Sequence, residues 1–152
     1  MNESYLCRGR RIDNGEWVEG DLVHSKSGFV FIKDPSICEY GHWRDGHYIG
    51  NHFVDKVAPS TVGRCVAEPD MTGKTAFEGD ILLPDGYTPY EVVGVIRFGV
   101  VTNKETEHIG FWVAWEDDKY AAEWRCDLGY WLRKSRVVGN IHDNPELGGG
   151  QE

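Results

Sequence analysis

No stretch of this chain approaches the roughly 18 consecutive apolar residues that a membrane-spanning helix needs. The opening Met1-Asn2-Glu3-Ser4-Tyr5 has neither the basic cluster nor the apolar run of a secretory signal. The expectation is a soluble, unexported protein with no membrane role, working in the cytoplasm. Cysteine is scarce: the 4 residues at positions 7, 38, 65 and 126 include no close pair, so buried thiols are expected and a disulfide framework is not. Positive charge is also in deficit. With 16 Lys and Arg against 25 Asp and Glu, the net charge of -9 repels phosphate backbones and argues against nucleic acid as a partner. Also missing is any local phrase that sets a thiol beside a base or a helix N-terminus, so none of the cysteines reads as an activated nucleophile.

What the chain has in quantity is aromatic and turn-forming residues. Phe, Trp and Tyr make up 12% of the 152 residues, with 6 Trp and 7 Tyr, and 19 Gly and 6 Pro supply turns. Aromatic and β-branched residues suit pleated, half-buried surfaces. The fold class expected is all-β, mostly antiparallel, with at most one short helix. Residues 1–58 read as an N-terminal β meander: strands near Tyr5–Arg8, Glu16–Val23 and Phe29–Ile32, joined through Asn14-Gly15 and Ser25–Gly28. Residues 34–51, rich in Gly, His and charge, show no period and read as an irregular excursion.

Residues 59–147 read as a second module, a small, partly open, SH3-like barrel. Its strands are expected at Thr61–Val66, on either side of Gly79, at Tyr90–Phe98 and Gly110–Trp115, and at Arg136–His142. In the run Tyr90–Phe98, Val93 and Val95 fall on one face, and Val92, Gly94, Ile96 and Phe98 on the other. Gly110–Trp115 is expected to be its partner strand, buried on both faces or covered by another layer. Asp117–Trp124 is the one candidate helix, with Asp117 as its cap, and residues 148–152 read as a disordered tail.

The segment Gly73–Leu83 organises the second module. Phe77, Ile81 and Leu83 alternate about Gly79, which can take a backbone angle closed to residues with a Cβ. Glu78 and Asp80 are expected to face water, with Asp80 bonding nearby amides to fix the bend. Val18-Glu19-Gly20-Asp21-Leu22-Val23 matches Phe77-Glu78-Gly79-Asp80-Ile81-Leu82 in residue type at all 6 positions. Its readings are one strand-corner-strand device used in two β modules, or a chance likeness between two common turns.

Three sets of residues have the right types for chemistry or binding. Cys38, His42, His47 and His52, with Glu39 and Asp45 nearby, are metal-ligand types, but their spacing fits no zinc module and the plainer reading is a polar loop. The pairs Glu78 with Asp80 and Asp117 with Asp118 have the types of an acid and base couple, and solvated turn charge explains them more simply. Phe111, Trp112, Trp115, Tyr120, Trp124, Tyr130 and Trp131 form an aromatic set. Its readings are core packing, a stacking platform for a small molecule or single-stranded nucleic acid, or a subunit interface. No residue reads as catalytic, and no cofactor or metal is expected.

Three phrases stand in order along the chain: Tyr5–Gly9 with Gly15–Leu22, Thr61-Val62-Gly63 followed by Gly73 and Glu78-Gly79-Asp80, and the closing Gly139-Asn140-Ile141 with Asn144-Pro145. Taken together, they resemble a phage and prophage family, the YopX proteins. These family-motif positions are read as structural. At Arg64-Cys65-Val66-Ala67 the chain departs from the family's Gln-aromatic-Thr-Gly type of stretch. The resemblance implies a partly open β-barrel fold, a phage or prophage origin in a bacterial host and homo-oligomerisation, and it implies no established activity. The function expected is a non-enzymatic accessory role, through self-association or the binding of a phage or host protein.

Overall fold

The computed structural model describes residues 6–34, 42–44, 47–49, 54–86, 92–102, 107–116 and 127–148. Within them the protein is mostly antiparallel β, with one short helix and one 3-10 turn. It divides into two compact units, residues 1–64 and 65–152.

In the first unit, β1 (Cys7–Arg10), β2 (Trp17–His24), β3 (Val30–Lys33) and β6 (Val54–Val57) lie in the order β6-β3-β2-β1, and the start of β7 (Gly63–Pro69) pairs beyond β1. The β1–β2 turn forms at Asn14-Gly15 as expected: Gly15 has φ +74° and its N–H donates to the Arg11 carbonyl at 3.0 Å. Alternation along the strands buries Cys7, Val30, Ile32 and Val57, with Val18, Leu22 and Val62 packed against them. Between Ala58 and Gly63 the 3-10 turn Pro59–Thr61 is fixed by the Thr61 hydroxyl, which donates to the Ala58 carbonyl at 2.7 Å and accepts the Arg10 amide at 2.9 Å. The excursion expected to be irregular contains a hairpin, β4 (His42–Arg44) paired with β5 (His47–Ile49). Three-residue strands are too short for an alternating pattern to register.

The second unit contains the rest of β7, β8 (Thr75–Phe77), β9 (Asp80–Pro84), β10 (Gly94–Thr102), β11 (Glu107–Trp115), helix α1 (Leu128–Leu132) and β12 (Ser135–Asn140). Its main sheet runs β11-β10-β9-β12 and is open among the described residues, whereas in the first unit the end of β6 bonds back to residues 10–12 at the end of β1 through the Arg11–Val57 bridge. The two faces of β10 separate as its sequence alternation predicts. Val93 and Val95 pack with Ile81, Leu83 and Ile141. Val92 and Ile96 join Ala76, Leu82, Val113, Trp115 and the α1 residues Leu128, Trp131 and Leu132. Trp115 and Trp131 meet edge to face at 4.7 Å, a geometry that favours ring pairs beyond simple burial.

Two expectations about this unit change. The helix lies at Leu128–Leu132, while the expected segment at 117–124 falls outside the described residues. Five residues are too few to form a helix on local propensity, and this one is held by burial of Leu128, Trp131 and Leu132. The strand at 107–115 is also not buried on both faces. Among the described residues it is the last strand of its sheet, bridged on its outer side only at Trp112 by Asp127, and burial is confined to Val113 and Trp115.

The central corner forms where expected, with Gly79 at φ +90° between β8 and β9. Asp80, however, does not face water: it is 1% exposed and accepts the Phe77 amide at 2.8 Å, while Glu78 is half-buried. The corner is also tied at a distance. The Gly79 N–H donates to the Ile96 carbonyl at 2.8 Å, and its own carbonyl accepts the Ile141 amide at 3.0 Å. The predicted twin corner at Gly20 does not exist, because β2 runs unbroken from Trp17 to His24.

Candidate functional site

β10 and β11 pair over their whole nine-residue lengths, from Gly94 opposite Trp115 to Thr102 opposite Glu107. The β9 ladder reaches only Gly94 and Val95 of β10. Among the described residues, 97–102 and 107–111 therefore form a two-stranded arm that runs on past the β9 ladder, while Trp112 is bridged on its outer side by Asp127. Cross-strand partners share a face, so Ile96 and Val113, Phe98 and Phe111, and Val100 and Ile109 make one apolar ladder. Its inner rung is core. Its outer rungs are exposed, with Phe98 at 38%, Val100 at 58% and Ile109 at 73%. Scattered surface apolar residues are ordinary, but adjoining rungs on one face form a patch of the kind that marks contact sites.

At the base of the arm lies a groove of about 320 Å³. Val66, Phe111, Leu128 and Leu132 give it an apolar lining, Gly129 leaves one side open, and Glu68, His108 and Asp127 supply polar groups. The Phe111 ring meets the Phe98 ring edge to face at 5.0 Å, so the ladder and the groove are one continuous apolar surface. His108 and Phe111 differ in parity along β11 and so project to opposite faces, yet both line the groove. The groove therefore follows the strand's edge.

Charge is distributed unevenly. Residues 65–152 hold 16 Asp and Glu against 8 Lys and Arg, whereas residues 1–64 hold 9 against 8. A second groove of similar size, on the other face of the sheet, is lined by Leu83, Val93, Val138 and Leu147 with Glu116 and Glu146.

The residues singled out in the sequence fall elsewhere and serve the fold. Thr61, Val62 and Gly63 close the first unit's core: Val62 packs on it, and Gly63 pairs with Arg8. In the second unit, Gly73 and Asp70 shape the turn into β8. The Asp70 carboxylate accepts the Thr72 amide and hydroxyl at 2.8 and 2.6 Å, the Lys74 amide at 3.0 Å and, through its other oxygen, the Val137 amide at 2.8 Å. Burial pushes this carboxyl up, but the bonds from the Thr72 hydroxyl and from the Val137, Lys74 and Thr72 amides outweigh it and hold the group below the usual carboxylate range.

The closing motif folds onto the central corner. Gly139 and Asn140 pair with Ile81 and Asp80, and Ile141 packs on Ile81. The Asn140 carbonyl oxygen of the side chain accepts the His142 and Asp143 amides, both at 3.0 Å. Asn144 accepts the Asn140 amide at 3.3 Å and occupies the space a Cβ on Gly139 would need. Pro145 follows in an exposed turn.

The candidate chemistry resolves as follows. Cys38, Glu39, Asp45 and His52 lie outside the described residues, and His42 and His47 lie on β4 and β5, paired with Ile49 and Arg44. Among the described residues no three His, Cys, Asp or Glu gather as a metal site. Of the carboxylate pairs, Asp80 is spent on the corner, and Asp117 and Asp118 lie outside the described residues. Cys7 and Cys65 are buried thiols; Cys38 and Cys126 lie outside the described residues.

Of the aromatic set, Trp115 and Trp131 are core, and Tyr130 stacks edge to face on Trp131 at 5.0 Å. Phe111 alone lines the groove, Trp112 is half-buried, and Tyr120 and Trp124 lie outside the described residues. Sequence reading passed over Val100 and Ile109. The available signal was an apolar alternation from Gly94 that continues through Val100, longer than the usual strand of about 5 to 6 residues.

No helix among the described residues is long and apolar enough to cross a membrane. No family model, curated protein or solved structure matches the chain.

Proposed function

We propose that this chain is a non-enzymatic accessory protein of phage or prophage origin that acts by binding protein through the β10–β11 arm and the groove at its base. The phage setting rests on the YopX resemblance of the opening, central and closing phrases. The binding role rests on one observation: the apolar face of the hairpin does not stop where the core stops, and Val100 and Ile109 present its last rung to solvent. Ordinary packing gains nothing from such a rung, whereas an interface buries it. The resemblance also carries the expectation of homo-oligomerisation, so self-association is the first state to measure.

The test is the double variant Val100→Lys with Ile109→Lys. Both side chains are exposed, so its thermal unfolding should match that of the parent chain. Sedimentation velocity and affinity capture from induced host cells should show complexes with the parent chain that the variant fails to form. Retention of every complex by a folded variant would reject the arm as the binding surface.

A further inference from the structure

The groove's shape and charge identify the chemistry of what it takes, an inference that rests on the protein-binding reading above. We infer that the groove receives an extended segment of a partner protein in which apolar side chains alternate with Lys or Arg.

Three observations lead there. First, the groove follows β11, which among the described residues is paired on its outer side only at Trp112, by Asp127, and His108 and Phe111 line it from opposite faces of that strand. An extended chain laid beside such an edge sends alternate side chains to opposite sides, so every second residue can enter the groove. Second, the lining is apolar at Val66, Phe111, Leu128 and Leu132, and its volume of about 320 Å³ sits at the small end of binding pockets. That suits side chains of a peptide better than a large ligand. Third, Glu68 is exposed and Asp127 half-buried at the groove, in a unit with twice as many acidic as basic residues.

The same charge decides among occupants. A second copy presenting its own residues 65–152 would bring a like-charged unit against Glu68 and Asp127, and the phosphates of nucleic acid would be repelled. Lysine or arginine beside the apolar residues is attracted during approach and paired at the rim on arrival.

The experiment uses two labelled nine-residue peptides, capped at both ends: one alternating leucine with lysine, the other identical but with glutamate for lysine. Fluorescence anisotropy with the full chain should show the lysine peptide binding at least about tenfold tighter, and weakening as sodium chloride is raised past the point where surface charges are screened.

A chain of net charge -9 will attract any cationic peptide, so a shape variant is needed beside the charge variant. Gly129→Trp supplies it, because Gly129 lines the groove and a Cβ there meets nothing within 4 Å, so a bulky side chain is added at the groove without a clash at its base. It should abolish binding of the lysine peptide with charge unchanged. Glu68→Lys, at an exposed position, should weaken the lysine peptide several-fold, and Glu68→Lys with Asp127→Lys should invert the preference between the two peptides.

Equal binding of the two peptides, binding of neither, or undiminished binding of the lysine peptide to folded Gly129→Trp would each overturn the inference. In those cases the protein-binding reading would still stand or fall on the Val100→Lys, Ile109→Lys comparison, which does not depend on peptide charge.

Discussion

Residues 18–23 and 77–82 carry the same pattern, an apolar residue, Glu-Gly-Asp and two further apolar residues, and the protein folds them in two different ways. In the first unit the pattern is the middle of a continuous strand whose partner changes from β1 to β3 at Gly20-Asp21. A Cβ on Gly20 would fall 2.1 Å from the Lys33 carbonyl oxygen of the neighbouring strand, so glycine is required there for want of space. In the second unit it is a tight corner, and glycine is required for its φ of +90°. The aspartates differ likewise: Asp21 is exposed, while Asp80 is buried and holds the Phe77 amide. Identical local chemistry is thus settled by what lies across from it. A strand partner keeps the first copy extended, and the buried carboxylate with the Ile96 and Ile141 backbone bonds folds the second.

The comparison is broken most forcefully at Gly20. Gly20→Ala should cost about 3 kcal/mol, the upper part of the range for overpacking, because the clash is with backbone that cannot move aside. Urea unfolding measures it, and the loss should appear in the first unit's transition if the units unfold separately. Next come the aspartates: Asp80→Ala should cost about 2 kcal/mol by leaving a buried amide without its acceptor, whereas Asp21→Ala should fall within about 0.5 kcal/mol of the parent. Gly79→Ala should cost about 1 to 2 kcal/mol, the strain of a left-handed angle on a residue with a Cβ.

Acid sharpens the contrast in a graded way. Asp70 is held below its ordinary range when folded, so the unfolded chain binds its proton first as pH falls. Its stabilising contribution is therefore complete above the unfolded value, about 3.9, and is lost as pH drops from there through the folded value. The drop in urea midpoint below pH 4 should be smaller in Asp70→Asn than in the parent chain. The smallest effect is a gain. Ala67 sits at φ +68° in the bulged part of β7, so Ala67→Gly should stabilise by about 0.5 to 1 kcal/mol, read as a rise in melting temperature.

How much could be read beforehand follows the same division between local and distant causes. Asn14-Gly15, the turn at Gly79 and the two faces of β10 were legible, because each depends on backbone angle or alternation within a few residues. The unbroken strand through Gly20 was not, since it depends on Lys33 across the sheet. Burial of Asp80 was hidden for a related reason: carboxylates near glycine usually mark solvated turns, and only the folded corner shows this one enclosed. Helix α1 has five residues and owes its existence to the core it covers. The groove was the least legible feature, because Val66, Phe111 and Leu128 are brought together from three separate segments by the fold.

The bond from the Ile141 amide to the Gly79 carbonyl joins residues far apart in sequence. During synthesis the corner emerges from the ribosome well before the segment that completes it. Until that segment arrives, the β8–β9 corner lacks one of its ties and Ile81, Val93 and Val95 lack Ile141 as a cover. The second unit should consequently reach its final form late, and shortening the chain before residue 139 should leave a nascent product open to aggregation and proteolysis.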